Sequence, residues 1–168
     1  MTPATNPFAI SQEVRFNVLR EDWSKYYIYD GAAEIWARAI IVKVFEVDRS
    51  KIPEQMRNAG EVLPLLAHQL VVTSFFPPDW RGPFEGLPIS PAEILDGGED
   101  VEFEPNNEPQ NEYITIEEEP RVLRVRCVVT RIVVNRKRFS AWGDPVSRVD
   151  AQIVPSGFRK ARPNELER

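Results

Sequence analysis

Cysteine and histidine are nearly absent from this 168-residue chain, which has one of each, Cys127 and His68. A single cysteine excludes an internal disulfide framework. One cysteine and one histidine are too few for a structural zinc site of the usual four-ligand type within one chain. A serine or cysteine catalytic unit would need His68, yet no nucleophile motif accompanies it. The sequence therefore favours a protein that is not an enzyme.

Long apolar runs and glycine-rich loops are missing as well. No stretch approaches the roughly 18 apolar residues of a membrane span. Residues 1–10 lack the basic and hydrophobic regions of a secretory signal. We therefore expect a cytoplasmic protein with no membrane partner. The glycine pair Gly97-Gly98 fits neither a phosphate-loop nor a dinucleotide-binding spacing, so we also expect no cofactor.

Two similar strand-like segments are the most informative feature that is present. Residues 38–45 (RAIIVKVF) resemble residues 126–133 (RCVVTRIV) position by position, 88 residues apart (126 minus 38). A second set of matches lies 83 residues apart (152 minus 69). Gly60-Glu61 corresponds to Gly143-Asp144, and residues 69–71 correspond to residues 152–154. Upstream, Tyr27-Ile28 matches Tyr113-Ile114. Because the blocks keep one order, the sequence predicts an internal duplication.

The hydrophobic pattern within the two copies predicts strands. Ile35, Ala37 and Ala39 alternate with other residues on one face, and from Ile40 onward both faces are apolar except at Lys43. The second copy has the same pattern, which residues 130 and 131 interrupt. A strand that is apolar on both faces is normally covered on both sides. Long helical periodicity is absent, so we expect an all-β, mainly β, fold with few short helices.

We divide the chain into two related small β units joined by an extended proline-rich and acidic segment. The first unit, with an N-terminal arm, spans residues 1–78, and the linker spans 79–111. The second unit, with a basic C-terminal tail, spans 112–168, and the two units pack as separate lobes or as one pseudo-symmetric domain. Ser90 and Pro91 predict a short helix that ends at Leu95. Residues 97–110 read as a mobile excursion, and the tail from Ser156 as an arm outside the core.

Charge is distributed unevenly along the chain. Residues 93–119 contain eleven acidic residues and no lysine or arginine, whereas residues 120–168 contain twelve basic residues against four acidic ones. Such neighbouring segments either neutralise each other within the fold or form a two-signed surface that favours head-to-tail association.

Five residues are candidates for contacts with a partner. An aromatic segment stiffened by prolines is suited to contact a neighbouring lobe or subunit. The two charges inside apolar strands are expected to pair with carboxylates across an interface or to lie at its rim. These candidates are Phe75, Phe76, Trp80, Lys43 and Arg131.

The sequence offers two other candidate sites, one basic and one acidic. A basic strand and turn with a nearby aromatic residue has the composition that binds single-stranded nucleic acid. Its candidates are Arg124, Arg126, Arg136, Lys137, Arg138 and Trp142. If extended, the acidic stretch places Asp100, Glu102 and Glu104 on one face, where a hard cation could bind. It lacks the calcium-loop pattern, so a solvated acidic loop with no metal is the favoured interpretation.

The sequence thus predicts a non-catalytic structural or interaction protein that assembles with copies of itself into a homo-oligomer or a larger particle. Single-stranded nucleic-acid binding through the basic face of the second unit is the alternative. An accessory subunit of a larger complex is a further alternative, which differs from the first only in its partner. A carboxylate- or cation-based enzyme is the least favoured function.

Overall fold

The computed structural model describes residues 10–47, 63–84, 86 and 89–167. The described part is mainly β, as the sequence predicts. Its strands, in chain order, are β1 (Ile10–Val14), β2 (Phe16–Arg20), β3 (Ser24–Ile28), β4 (Ala33–Val47), β5 (Leu65–Phe75), β6 (Glu99–Asp100), β7 (Phe103–Asn107), β8 (Gln110–Thr115), β9 (Arg121–Phe139) and β10 (Pro145–Lys160).

The strands form two antiparallel sheets with the same arrangement. In sheet A, the long strand β4 pairs with β5 on one side and with β3 and β1 on the other, and β7 pairs with the outer side of β3. In sheet B, the long strand β9 pairs with β10 on one side and with β8 and β6 on the other, and β2 pairs with the outer side of β8. Each sheet therefore takes its outermost short strand from the other half of the chain.

The two long hairpins also share their irregularities. The register between β4 and β5 shifts at Val42, because Ile41 pairs with His68 whereas Lys43 pairs with Ala67. The register between β9 and β10 shifts at Thr130, which lies 88 residues after Val42 (130 minus 42). A bulge of this kind adds an unpaired residue and turns the following side chains to the other face. This explains why the apolar pattern changes at residues 130 and 131.

Local sequence accounts for the short turns. The predicted turn at Asp30-Gly31 is present as a 3-10 turn, Tyr29–Gly31, in which φ is 51° at Tyr29, 54° at Asp30 and 87° at Gly31. Glycine and aspartate tolerate this left-handed region better than most residues. The predicted helix α1 (Pro91–Leu95) is also present, with Pro91 in its first turn. The hydroxyl of Ser90 caps it by accepting a hydrogen bond from the backbone N–H of Glu93.

The core lies between the inner faces of the two sheets. Ile35, Ala37 and Ala39 of β4 pack with Cys127 and Val129 of β9 in one cluster. A second cluster joins the end of β4 to Tyr113 of β8 and the start of β9. Burial raises the pKa of the Cys127 thiol to about 11, so this cysteine serves as a small apolar side chain.

Two buried tyrosines bring the halves of the chain together. Tyr26 of β3 contacts the ring of Phe103 edge-on, with centroids 5.6 Å apart, and its hydroxyl accepts a hydrogen bond from the backbone N–H of Val129. Tyr113 of β8 contacts Phe16 edge-on at 5.7 Å. Each edge-on aromatic pair of this kind stabilises the fold by about 0.5–1.5 kcal/mol beyond the contribution from burying the rings. Both pairs therefore hold strands of one half against strands of the other.

Three expectations about local structure are wrong. Residues 99–107 are not a mobile excursion, because β6 pairs with β9 and β7 pairs with β3. The tail from Ser156 is not outside the core, because β10 continues to Lys160 and Phe158 is buried. The register also places Tyr26, rather than Tyr27, at the β3 position that Tyr113 has in β8: Tyr26 pairs with Ile35 and Tyr113 with Leu123. The match at Gly60-Glu61 lies outside the described residues.

A carboxylate fastens the chain that follows β10. Glu165 is buried and accepts hydrogen bonds from both terminal nitrogens of Arg159, at 2.8 Å each, and from the backbone N–H of Arg162 at 2.8 Å. The hydrogen bonds from Arg159 lower the pKa of Glu165 from 4.5 to about 2, although burial opposes the shift.

Acid should therefore release this tail. A carboxylate with a depressed pKa stabilises the folded tail above the unfolded pKa of 4.5, and this contribution is lost as the pH falls towards 2. We expect the backbone amide signals of Arg162 and Glu165 to shift over that range in an NMR titration. Glu165→Gln, which cannot ionise, should give a tail whose signals do not follow this titration. Unchanged signals in the native chain from pH 4.5 to 2 would contradict the assignment.

Candidate interaction surfaces

The outer face of sheet A exposes a group of large apolar side chains. Ile40, Val42, Val71 and Phe75 are 38%, 48%, 39% and 48% exposed, respectively. Ile40 and Val42 belong to β4, and Val71 and Phe75 belong to the neighbouring strand β5. On this face Val71 lies opposite Arg38 and Phe75 lies opposite Glu34, so the apolar side chains alternate with charged ones. We call these four residues the outer patch.

Aromatic rings continue the outer patch along the same face. The ring of Trp36 lies 4.7 Å from that of Phe75 and 6.1 Å from that of Trp23. The ammonium group of Lys25 stands 4.2 Å from the centre of the Trp36 ring. The Trp36 Nε1 atom is buried and has no hydrogen-bond partner among the described residues. The rings brace one another, so they present a firm surface rather than separate mobile side chains.

The corresponding face of sheet B is polar. Arg124 and Arg126 occupy the β9 positions that match Trp36 and Arg38 of β4 at the 88-residue separation. Arg124 pairs with Glu112 at 3.6 Å, and Arg126 is exposed. Val154 of β10, exposed by 40%, is the counterpart of Val71 at the 83-residue separation. The two sheets thus share an architecture but present different chemistry to solvent.

The predicted aromatic segment folds back onto its own chain. Trp80 lies in a 3-10 turn, Pro78–Trp80, and its ring is 5.8 Å from Phe76 and 5.0 Å from Tyr29. The guanidinium of Arg136 lies 3.8 Å from the centre of the Trp80 ring. Phe76 packs against the core, whereas its neighbour Phe75 points outward. Of the three aromatic residues in this segment, Phe75 is the one that is exposed for contact with a partner.

Tyr29 ties the same cluster to β6. Its hydroxyl donates a hydrogen bond of 2.6 Å to the carboxylate of Glu99. Burial, followed by this hydrogen bond, raises the pKa of Tyr29 far above its usual value. Tyr29 therefore stays protonated at physiological pH and serves as a fixed hydrogen-bond donor.

Lys43 and Arg131 both pair with carboxylates of their own chain. Lys43 contacts Glu13 of β1 at 3.2 Å, and Arg131 contacts Asp100 of β6 at 2.6 Å. The hydrogen bond from Arg131 lowers the pKa of Asp100. All four side chains are largely exposed, so the pairs add little to stability. Lys43 and Arg131 each follow the bulge residue of a long strand. That these two residues lie at an interface stays a prediction.

The other basic candidates are only partly available. Arg138 pairs with Glu93 at 3.2 Å, and Arg136 is stacked on Trp80. Lys137 is exposed, and Trp142, in the turn between β9 and β10, is 81% exposed. The structure does not gather the six residues on one face. The bulge at Thr130 changes the face to which later side chains of β9 point, so the alternation that includes Arg124 and Arg126 does not continue to the end of the strand.

The three acidic candidates are divided between the sheets. Asp100 belongs to β6 of sheet B and Glu104 to β7 of sheet A, with Glu102 in the connection between them. Their expected common face therefore does not form. Among the described residues, no group of three or more histidine, cysteine, aspartate or glutamate side chains is arranged to hold a metal ion.

Sequence reasoning missed most of the outer patch. It selected Phe75 but not Ile40, Val42 or Val71. A signal for them was present, because residues 40–45, apart from Lys43, are apolar on both faces, and such a strand is normally covered on both sides. In the described chain only the inner side of this strand faces the other sheet.

No protein family matches the chain, and no curated protein or solved structure is significantly similar to it. The class that its described residues define is a mainly β protein of two packed antiparallel sheets. The only α-helix within those residues, α1, spans five residues and is far too short to cross a bilayer.

Proposed function

We propose that this protein is a non-catalytic structural or interaction protein that assembles with copies of itself through the outer patch of sheet A. A homo-oligomer or a larger particle is the expected product, and the cytoplasm is its expected compartment. The observation that carries the proposal is the contrast between the two outer faces. Sheet A exposes Ile40, Val42, Val71 and Phe75 beside braced aromatic rings. Sheet B has Arg124 at the position of Trp36 and Thr130 at the position of Val42, whereas both faces carry an arginine at the position of Arg38 and Arg126.

Burial of the outer patch would supply the driving force for assembly. Removing apolar surface from water contributes about 25 cal/mol per Å². The rings of Trp23, Trp36 and Phe75 contact one another already, so little side-chain entropy is lost when a partner covers them. Charges on other surfaces, such as the exposed Arg126 and Lys137, would then set orientation rather than affinity.

Replacing Val71 with aspartate should dissociate the assembly. A carboxylate in a buried apolar contact loses its hydration, so we expect the dissociation constant to rise by about 10–100-fold. Val154→Asp is the matched control, because Val154 has nearly the same exposure, 40% against 39%, on the edge strand of the other sheet. Light scattering coupled to size exclusion should show the Val71→Asp variant moving towards 19.3 kDa while Val154→Asp keeps the native mass.

The native chain provides the decisive comparison. A defined oligomer at low and high salt supports assembly through apolar contacts, whereas dissociation by salt would implicate the acidic and basic segments. A salt-insensitive monomer of 19.3 kDa would overturn the proposal.

We also infer that the chain arose by duplication of a five-strand unit, and that the two copies, β1–β5 and β6–β10, pack as one pseudo-symmetric domain. The second copy then begins at β6, within the segment 79–111 that the sequence assigns to a linker. The strands β1–β5 and β6–β10 have matching partners. Phe16–Tyr113 and Phe103–Tyr26 are matching ring pairs, and Lys43–Glu13 and Arg131–Asp100 are matching ion pairs. Equal bulge positions at Val42 and Thr130 support the same inference.

Single-stranded nucleic-acid binding is the second proposal. The exposed ring of Trp142 and the exposed Lys137 and Arg126 support it, because aromatic stacking and phosphate contacts are its two requirements. Carboxylates contact Arg124 and Arg138, which weakens the support. An accessory subunit would use the outer patch against a different protein.

A further inference from the structure

We propose that the edge of β5 pairs with the β5 edge of a second copy of the chain, antiparallel, so that sheet A continues from one molecule into the next. This inference rests on the proposed self-assembly and adds a second contact, along the edge of the sheet, to the one that the outer patch makes with its face. In the described part of the chain β5 is hydrogen-bonded only to β4. Among the described residues no strand pairs with its other side, whose backbone donors and acceptors can take up a strand that adds to the sheet.

The composition of β5 suits pairing with itself. Its eleven residues, LLAHQLVVTSF, include no aspartate, glutamate, lysine, arginine, proline or glycine. Antiparallel pairing about a two-fold axis brings the same residues of both copies close together, so any charge near the axis would face its own kind. No carboxylate, ammonium or guanidinium group of β5 opposes this arrangement.

The other long edge strand is protected against such pairing. β10 contains Pro155, which cannot donate a hydrogen bond, and Gly157. It also carries Arg148 and Asp150, and its register with β9 is interrupted three times. Proline, charges and bulges are the devices by which natural edge strands avoid unwanted addition. β5 has one register shift and none of the other devices.

The first part of β5 is the available part. Val72, Thr73 and Ser74 line a groove with Phe84 and Trp142, so other segments flank the end of the strand. The remaining segment, residues 65–71, is centred on His68. Pairing centred there places Leu66 opposite the partner's Leu70 and Leu65 opposite the partner's Val71. It also sets Val71 and the partner's Val71 on one continuous outer face, which leaves the outer patches of both copies open to a separate face-to-face contact.

Nitroxide labels along β5 test this geometry. Single cysteines at positions 65, 68 and 71 are introduced into a Cys127→Ala background and labelled, and distances between copies are measured by electron paramagnetic resonance. The distance should be shortest at 68 and should reach about 20 Å between backbones at both 65 and 71, because each residue away from the axis adds a strand rise in both copies. Ala151→Cys, the β10 counterpart of His68, is the control and should show no close partner.

Each outcome decides a separate question. A minimum at position 68 with native oligomer mass supports edge pairing. An oligomer whose distances do not pass through a minimum on β5, or in which position 151 is as close as 68, overturns edge pairing and leaves self-assembly standing. A labelled chain that is monomeric in the Cys127→Ala background, when the native chain is monomeric too, overturns both. If the chain binds another protein and its labels show no dipolar interaction between two copies, a second copy is not what pairs with β5.

Discussion

Tyr113→Ala is expected to lower the free energy of unfolding by about 3–5 kcal/mol. The side chain of Tyr113 is one of the largest that is fully buried, and its ring packs edge-on against Phe16 of the other half of the chain. Truncation leaves a cavity in the apolar cluster that Tyr113 forms with Ile41, Val44 and Leu123, and these side chains are held on paired strands that can close the gap only in part. The same loss is expected for Tyr26→Ala, because Tyr26 packs in the same way on Phe103.

The hydroxyl of Tyr113 makes a separate contribution. It donates a hydrogen bond of 2.8 Å to Glu21, whose other oxygen accepts two hydrogen bonds from Arg38. Burial, followed by the contact with Glu21, raises the pKa of Tyr113 far above its usual value, so the phenol is a donor at physiological pH. Tyr113→Phe should therefore cost about 1–2 kcal/mol, because the carboxylate of Glu21 loses one of its donors while Arg38 remains.

Urea unfolding followed by tryptophan fluorescence measures both effects. Tyr27→Ala is the control, because Tyr27 is a neighbouring tyrosine of β3 that is partly exposed, and its loss should cost much less. A loss below about 1 kcal/mol for Tyr113→Ala would show that the two halves do not depend on this contact.

Asn135→Asp is the second substitution with a large expected effect, about 3–5 kcal/mol. Asn135 is buried on β9, and its amide nitrogen donates to the carbonyl oxygens of Glu93, Ile94 and Asp96 at 3.0–3.3 Å. These carbonyls lie at the end of α1, where a helix has no partners of its own for them. A carboxylate in this place cannot donate, and it repels the oxygens that it faces.

The pH dependence separates this mechanism from a general defect. Protonation restores one donor to the substituted side chain, so the deficit of Asn135→Asp relative to the native chain should shrink in acid. Asn17→Asp makes the same chemical change on an exposed position of β2 and should stay within about 0.5 kcal/mol of the native chain. Thermal unfolding at pH 7 and pH 4 measures the difference. Equal losses for the two variants would contradict the role assigned to Asn135.

Local sequence specifies the long strands, the turn at Asp30-Gly31 and helix α1, because periodicity, positive-φ residues and a serine cap act within a few residues. It does not specify β6 and β7. Their segment is acidic and contains Pro105 and Pro109, a composition typical of a loop. They become strands because the edges of β9 and β3 offer backbone partners that lie far away in sequence.

The candidate surfaces show the same limit. Apolar residues on both sides of β4 indicate that a second contact exists, but only the sheet order reveals which residues stay exposed. Lys43 and Arg131 were selected as charges in apolar strands, and their partners Glu13 and Asp100 follow from strand pairing rather than from spacing. The grouping of the basic candidates failed because a one-residue bulge at Thr130 changes the face of every later side chain.

The exchange of outer strands has a consequence for the growing polypeptide. When residue 75 has left the ribosome, β2 has been made, but its partner β8 has not. Sheet A likewise stays incomplete until Asn107, the last residue of β7, emerges. The early segment must wait with β2 and the side of β3 unpaired, and in this interval β5 of one nascent chain can meet that of another. The order of synthesis therefore leaves β2 and the outer side of β3 without their partners until the second half of the molecule has been made.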